Sequence, residues 1–321
     1  MREKKPKILI IYGPTAIGKT ALGLRLAKKF NGEIVSADSR QVYQGMDIGT
    51  GKEIWGGEWD VGSGTWIIDG VKIWLLDIVK PDEEFSVAQY VFLASKVIED
   101  LWQRGKLPII VGGTGFYIKA LVDGVGTLGV EPDWELRDRL ENLKTEELKN
   151  MLQKIDLERY VSMNESDINN PRRLIRAIEV ASSDKKQVSQ NSLKLKDILF
   201  IGLTTLLETL YQRIDWRVEE RVRMGAEEEV RDLINQGYSW DLPAISGMGY
   251  RQWKPYFGGR ENKETVIQRW KYDEHHYARR QLTWFRKDKR VNWFDISTGK
   301  WENEVEKLVS VWLVKKNAKK S

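Results

Sequence analysis

Five short apolar runs, at residues 8–12, 33–37, 73–79, 107–111 and 198–203, punctuate the chain, and several alternate with stretches of helical period. Runs of this length between polar turns read as strands buried on both faces, the pattern of a parallel sheet. Behind the first run, Leu22, Leu26 and Phe30 hold one helical face that can pack on such a sheet. The clearest helix covers about 85–104: Val87, Tyr90, Val91, Ala94, Val97, Ile98 and Leu101 share a face, and Gly105 marks the end. A glycine-rich stretch, Gly124 to Gly129, interrupts the pattern. From Asp133 to about residue 190 the chain turns helical, with Leu136, Leu140 and Leu143 on one face. Asn170 before Pro171 is a helix start, an N-cap side chain followed by proline at the first helical position. Leu174, Ala177, Ile178 and Ala181 would then face inward, leaving Arg172, Arg173 and Arg176 outward. Val291 to Ile296 reads as a short edge strand, and Trp301 to Leu313 as a last amphipathic helix through Val305, Leu308, Val309 and Trp312.

The stretch Gly13-Pro14-Thr15-Ala16-Ile17-Gly18-Lys19-Thr20 sits directly behind the first strand and before the first helix. This is the spacing of a phosphate-cradling loop: backbone N–H groups surround phosphate oxygens, the lysine reaches the outer phosphate, and the threonine hydroxyl meets Mg²⁺. The helix adds its positive N-terminal end. The expected fold is therefore α/β, a P-loop NTPase-like parallel sheet core with a helical insertion domain. Residues 1–123 form the first part of the core, 124–194 the insertion, and 195–321 the second part with a basic helical region. The ligand is a di- or triphosphate group. Asp38 follows the second strand, and ligands of parallel sheets bind beyond the carboxyl ends of strands, so it falls near the loop. There a carboxylate can accept a proton, hold Mg²⁺ or cap a helix.

The composition, 41% hydrophobic and 31% charged over 321 residues, is that of an ordinary soluble globular protein. No apolar run approaches a membrane span, and the charged start turns straight into the phosphate loop, so neither a span nor a targeting sequence is expected. Cysteine is absent, which excludes disulfides and cysteine-held zinc and agrees with a cytoplasmic setting. Net charge is +5, and the stretch from Arg260 to Arg290 carries a balance of +5 by itself. Its arginines are interleaved with Trp and Tyr, which suits an RNA backbone with unpaired bases, though a solvated charged helix would look similar. Arg213, Arg217 and Arg221 share one helix face, either turned to an anion or salt-bridged on the surface with Glu220. His275 and His276 are adjacent, so on a helix they diverge and make a poor metal pair; they belong to the surface.

Six blocks in order resemble the tRNA dimethylallyltransferases, also called tRNA isopentenyltransferases, of the bacterial type without a zinc finger. They are the phosphate loop; Asp38-Ser39-Arg40-Gln41-Val42-Tyr43 with Met46-Asp47-Ile48-Gly49-Thr50; Gly112-Gly113-Thr114-Gly115-Phe116-Tyr117; Asn170 to Val180; Gly249-Tyr250-Arg251-Gln252; and Tyr277 to Arg286. The resemblance runs from residue 8 to about 296. Two places depart from it. Where the family has Ala-Lys-Pro after Gly-Thr, this chain has Gly51-Lys52-Glu53, and Trp74-Leu75-Leu76-Asp77-Ile78 replaces a His-His-Leu-Ile-Asp stretch. An enlarged Trp- and Gly-rich segment lies between them. The family also tends to have Met where Arg221 stands.

The resemblance implies transfer of a dimethylallyl group from dimethylallyl diphosphate to the exocyclic amine of the adenosine 3′ of the tRNA anticodon, by a monomer using Mg²⁺. Asp38 would be the base, Arg217 a cation on the leaving group, and Thr114 a hydroxyl for phosphate or adenine. Gly13 to Thr20 would hold the diphosphate, with Thr20 on the metal. Contacts to tRNA would come from Asp38, Ser39, Arg40, Gln41 and Thr114, from Arg137 and Arg172, Arg173, Leu174, Ile175 and Arg176, and from Ser246, Gly247, Met248, Gly249, Tyr250 and Arg251. Arg279, Arg280, Gln281, Leu282, Thr283, Trp284, Phe285 and Arg286 complete that set. The competing expectations are a P-loop small-molecule kinase, a prenyltransferase acting on free AMP, and an RNA-binding ATPase switch.

Overall fold

The computed structural model describes residues 6–53, 56–60, 62, 64–127, 129–183 and 197–315. The charged N-terminus, the expected end of the insertion near 184–194 and the basic tail from 316 lie outside them. β1 (Lys7–Tyr12) leads through the phosphate loop into α1 (Lys19–Phe30), and β2 (Gly32–Ser36) follows. Three short strands come next, β3 (Glu58–Asp60), β4 (Thr65–Ile68) and β5 (Val71–Trp74). α2 (Val87–Gln103), β6 (Leu107–Val111) and α3 (Gly115–Asp123) close the first stretch. α2 begins where Ser86 and Gln89 satisfy each other's backbone N–H in a capping box.

The strands form one sheet in the order β3-β4-β5-β2-β6-β1-β7-β8, where β7 is Asp197–Thr204 and β8 is Val291–Asp295. From β5 to β8 every pairing is parallel. β3, β4 and β5 pair antiparallel, so the sheet is mixed at one edge rather than parallel throughout. The run at 73–79 is only partly strand: it stops at Trp74 because Leu75 and Asp77 take left-handed backbone, at φ 66° and 53°. The enlarged segment supplies the antiparallel edge. Trp66 packs edge-on to Trp59 with ring centres 5.5 Å apart and donates its Nε1–H to Asp77 Oδ2 at 2.7 Å.

Beyond β7 run α9 (Leu207–Arg223), α10 (Ala226–Asn235), a short α11 (Lys254–Phe257) and the long α12 (Lys263–Phe285); α13 (Trp301–Val314) follows β8. One core joins the sheet to these helices, with Leu9, Ile11, Leu26, Ile109 and Ile201 buried alongside Trp253 and Trp270. Full burial of one aliphatic side chain contributes about 1.5–3 kcal/mol, so this cluster dominates the unit's stability.

The chain divides into two compact units, one made of residues up to 122 and from 193 on, the other of residues 123–192. Within the second, α4 (Trp134–Glu141), α5 (Thr145–Ile155), α6 (Leu157–Ser162), α7 (Glu165–Ile168) and α8 (Pro171–Ala181) enclose their own core of Leu140, Leu148, Leu152, Leu174, Ile175 and Ile178. Asn170 caps α8 by accepting from Arg173 N at 3.3 Å. Leu143 departs from the expected face and is exposed, because α4 ends at Glu141 and the helical period ends with it.

Candidate active site

The phosphate loop occupies the carboxyl end of β1, where the parallel strands leave their ligand-binding edge. Left-handed backbone at Ala16 (φ 61°) and Gly18 (φ 95°) gives the alternation that forms a concave row of N–H groups; glycine takes that conformation without a Cβ clash. Lys19 folds back across the loop and donates to Pro14 O at 2.7 Å. Its ammonium is pushed down to about 8, first by burial, then by the guanidinium of Arg217. An anion in the loop reverses that second effect.

Two neighbouring turns are sewn to the same edge. Beyond β2 and β6, Ala37 N donates to Val111 O at 2.8 Å and Thr114 N returns to Ala37 O at 3.1 Å. The Thr114 hydroxyl accepts from Ser39 N at 3.0 Å and lies 3.3 Å from Ser39 Oγ, so its bonds hold the turn that carries Asp38. Asp38 Oδ1 accepts from Arg40 N at 2.9 Å, an Asx turn that fixes the carboxylate. From α12, Gln281 bridges two loops by accepting from Thr15 N at 2.8 Å and donating to Gly113 O at 3.0 Å. Burial and the nearby Asp38 charge push the Tyr277 hydroxyl well up, so it stays protonated and can donate.

A cavity of about 310 Å³ joins these parts. Lys19, Thr20 and Arg217 line it together with Asp38, Ser39, Arg40 and Gln41. Ser246, Gly247, Met248, Arg251, Tyr277 and Arg280 belong to the same lining. A second cavity of about 590 Å³ lies beside it, sharing Arg217 and Arg221 and lined otherwise by Gly18, Trp216 and Met224 among others. The arginine stripe of α9 faces the site: Arg213 Nε donates to Ala16 O at 2.8 Å, and Arg217 donates to Gly51 O and Glu53 Oε1 at 3.0 Å each. Glu220 pairs with Arg223 instead, at 2.8 Å. Burial and the neighbouring Arg221 lower the Arg217 guanidinium to about 10.

Several expected RNA contacts are placed otherwise. Leu174 and Ile175 are buried in the helical unit's core, and Leu282, Phe285 and Tyr250 are buried in the larger one, so none offers its side chain to a partner. Each sits on the apolar face of its helix or turn, which the packing consumes. Gly249 is buried against Gly49. Arg137 and Arg176 both grip the buried carboxylate of Glu179; Arg176 also donates to Thr127 O and Val130 O, at 2.8 and 2.7 Å. Two guanidiniums on one buried carboxylate form a structural clamp, which also holds Glu179 below the usual carboxylate range. Arg173 pairs with Asp167, while Arg172, Arg279, Thr283, Trp284 and Arg286 are exposed. His275 is not free on the surface: it stacks on Tyr211 at 4.0 Å and bonds Asp215 at 2.8 Å.

One organising residue carries no motif. Glu229, on α10, accepts the backbone N–H groups of Asp47, Ile48 and Gly49 at 2.7–2.9 Å, and the hydroxyl of Tyr250 at 2.6 Å. It thereby holds the loop whose Gly49 and Thr50 line the smaller cavity. Lys52, fully buried, ties that loop to Asp47, to Asp77 and to Tyr43 O.

The mostly parallel sheet and its loop define a phosphate-loop α/β protein with an arginine-rich cavity beside the loop. Family profiles described as IPP transferase and isopentenyl transferase match residues 41–288 and 6–56. The chain belongs to the IPP transferase family and is a transferase. It is similar to the tRNA dimethylallyltransferase of Roseiflexus sp. (42% identity, covering 95% of this chain and 98% of that one). The Pediococcus pentosaceus protein of the same description is 40% identical, with 97% and 98% covered. Among solved structures, the full-length tRNA isopentenylpyrophosphate transferase of Bacillus halodurans superposes with a TM-score of 0.69 at 35% identity, over 96% and 97% of the two chains. A eukaryotic dimethylallyltransferase described as acting on tRNA gives 0.77 at 26% identity, over 95% of this chain and 78% of that one.

Proposed function

We propose that this protein transfers a dimethylallyl group from dimethylallyl diphosphate to the exocyclic N6 amine of the adenosine 3′ of a tRNA anticodon. The observation that carries the reading is that one cavity is lined both by Lys19, Thr20 and Arg217 and by Asp38, Arg40, Arg251, Tyr277 and Arg280. Such a cavity can hold an anionic leaving group and an unstacked base against each other. The amine attacks the allylic carbon, the C–O bond breaks with its electron pair passing to the diphosphate, and the N6 proton goes to Asp38. Lys19, Arg217 and the loop N–H groups stabilise the charge gathering on the departing oxygen. No nucleophile on the protein is needed.

Thr20 lines the same cavity, with a hydroxyl that suits a hard cation. Among the described residues no group of three or more acidic, His or Cys side chains gathers, so phosphate oxygens would supply further ligands. Mg²⁺ bound there would neutralise the diphosphate as it leaves. Exposed Arg279, Arg280, Trp284 and Arg286 are proposed to meet the RNA, with guanidiniums on phosphates and Trp284 stacking on a base. Lys119 already lies 5.9 Å over the Trp284 ring, which favours a polyanion near that face.

The test is isoprenoid label transfer. Label from dimethylallyl diphosphate should appear on an anticodon stem-loop with an adenosine 3′ of the anticodon, and not on free AMP. Transfer of γ-phosphate from ATP to a small molecule, with no label on RNA, would overturn the reading.

A further inference from the structure

Arg221 is the least expected residue at this site. It is buried to 5% exposure, yet it lines both cavities, standing with Arg217 where the two adjoin. The backbone leaves room for it. Gly51 has φ 65°, and a Cβ built there would lie 2.7 Å from the Arg221 Cζ and 2.9 Å from Nη2 of Arg217. Any side chain at position 51 would displace the guanidinium. Two like charges thus converge on one glycine, an arrangement that costs energy unless an anion joins them. Each guanidinium meets one carboxylate within the protein, which leaves donors unused. Arg221 Nη1 donates to Glu274 Oε1 at 3.0 Å and its guanidinium lies 5.7 Å over Trp270, while the buried Nε has no partner. Arg217 donates to a carbonyl and to the exposed Glu53.

We propose that Arg221 is a second guanidinium on the donor's diphosphate, seated by Gly51 and balanced between turnovers by Glu274. The idea rests on the reading of this cavity as the diphosphate site. In the free protein Glu274 holds the guanidinium in place. When the diphosphate enters beside Lys19 and Arg217, Arg221 adds a charge-assisted contact at the wall shared by the two cavities.

An ion pair that merely clasps α9 to α12 makes a different forecast, because loss of either partner would then do the same harm. The probe is inorganic pyrophosphate, titrated calorimetrically into the whole chain with Mg²⁺. Arg221→Met should weaken pyrophosphate about 10- to 100-fold, the worth of one charge-assisted bond, with an unchanged KM for the stem-loop. Glu274→Gln should bind pyrophosphate at least as tightly as the parent. Arg221→Met leaves Glu274 buried and unpaired, so the neutral pair Arg221→Met with Glu274→Gln guards against misfolding; it should fold and still show the weakened binding. Gly51→Ala should weaken pyrophosphate too, with little further loss once Arg221→Met is added. Parental affinity in the neutral pair, or equal losses in Glu274→Gln and Arg221→Met, would overturn the proposal. Lys19→Ala separates the two levels: if it leaves pyrophosphate binding intact, the diphosphate reading itself fails and takes this proposal with it.

Discussion

Raising the pH should weaken the donor well before it harms the RNA. The free protein holds the Lys19 ammonium at about 8, against an ordinary 10.5, because the group is buried and faces Arg217. Only the charged form attracts a diphosphate. With a pKa of 8, about 90% of Lys19 is charged at pH 7 and about 10% at pH 9, so kcat/KM for dimethylallyl diphosphate should fall about tenfold between them. The sign on stability is opposite. A lysine whose folded pKa lies below its unfolded one burdens the fold fully below pH 8, and that burden fades as pH rises toward 10.5. Lost activity at pH 9 therefore does not mean unfolding at this group. Arg217→Gln removes the guanidinium that helps push Lys19 down, so it should lower the rate overall yet move the alkaline limb to higher pH. The assay is initial-rate label transfer to a saturating stem-loop from pH 6 to 10. Calorimetry of pyrophosphate binding in two buffers of different ionisation heat should register net proton uptake near pH 8.5. A flat profile from 7 to 9, or a limb that Arg217→Gln leaves in place, would refute the role given to Lys19.

Three further outcomes are expected. Asp38→Asn keeps the shape of the turn and removes the proton acceptor, so turnover should drop at least ~10²-fold with stem-loop affinity retained; normal single-turnover rates would remove Asp38 from the chemistry. Arg280→Glu, at an exposed cavity residue, should weaken the stem-loop and reduce the salt slope of its binding by about one, with pyrophosphate affinity unaltered in the same titration. Glu229→Ala strips three backbone N–H groups and the Tyr250 hydroxyl of their acceptor; thermal or urea unfolding should show a loss of at least about 3 kcal/mol, and an unchanged midpoint would contradict the anchoring role.

Much of the core was legible from local pattern. The strands at the first, second, fourth and fifth runs, the helix behind Ser86 and the Asn170–Pro171 start all follow from short-range rules that need no distant partner. The antiparallel edge was not, since Trp- and Gly-rich segments carry no clean period and their pairing rests on Trp66 finding Asp77. Among arginines the sequence was least informative. Arg137 and Arg176 look as available as Arg172, and only the buried Glu179 tells them apart.

What the chain's order of residues determined alone is the phosphate loop and its flanking strand and helix, because eight consecutive residues dictate where their own N–H groups can turn. Tertiary structure decided the rest of the cavity: Glu229 reaches Asp47 across 182 residues, Gln281 reaches Thr15 across 266, and Arg221 meets Glu274 across 53. Such partners have no spacing rule. They are chosen by which buried charges the packed helices leave within hydrogen-bond reach, and a linear pattern does not contain that distance.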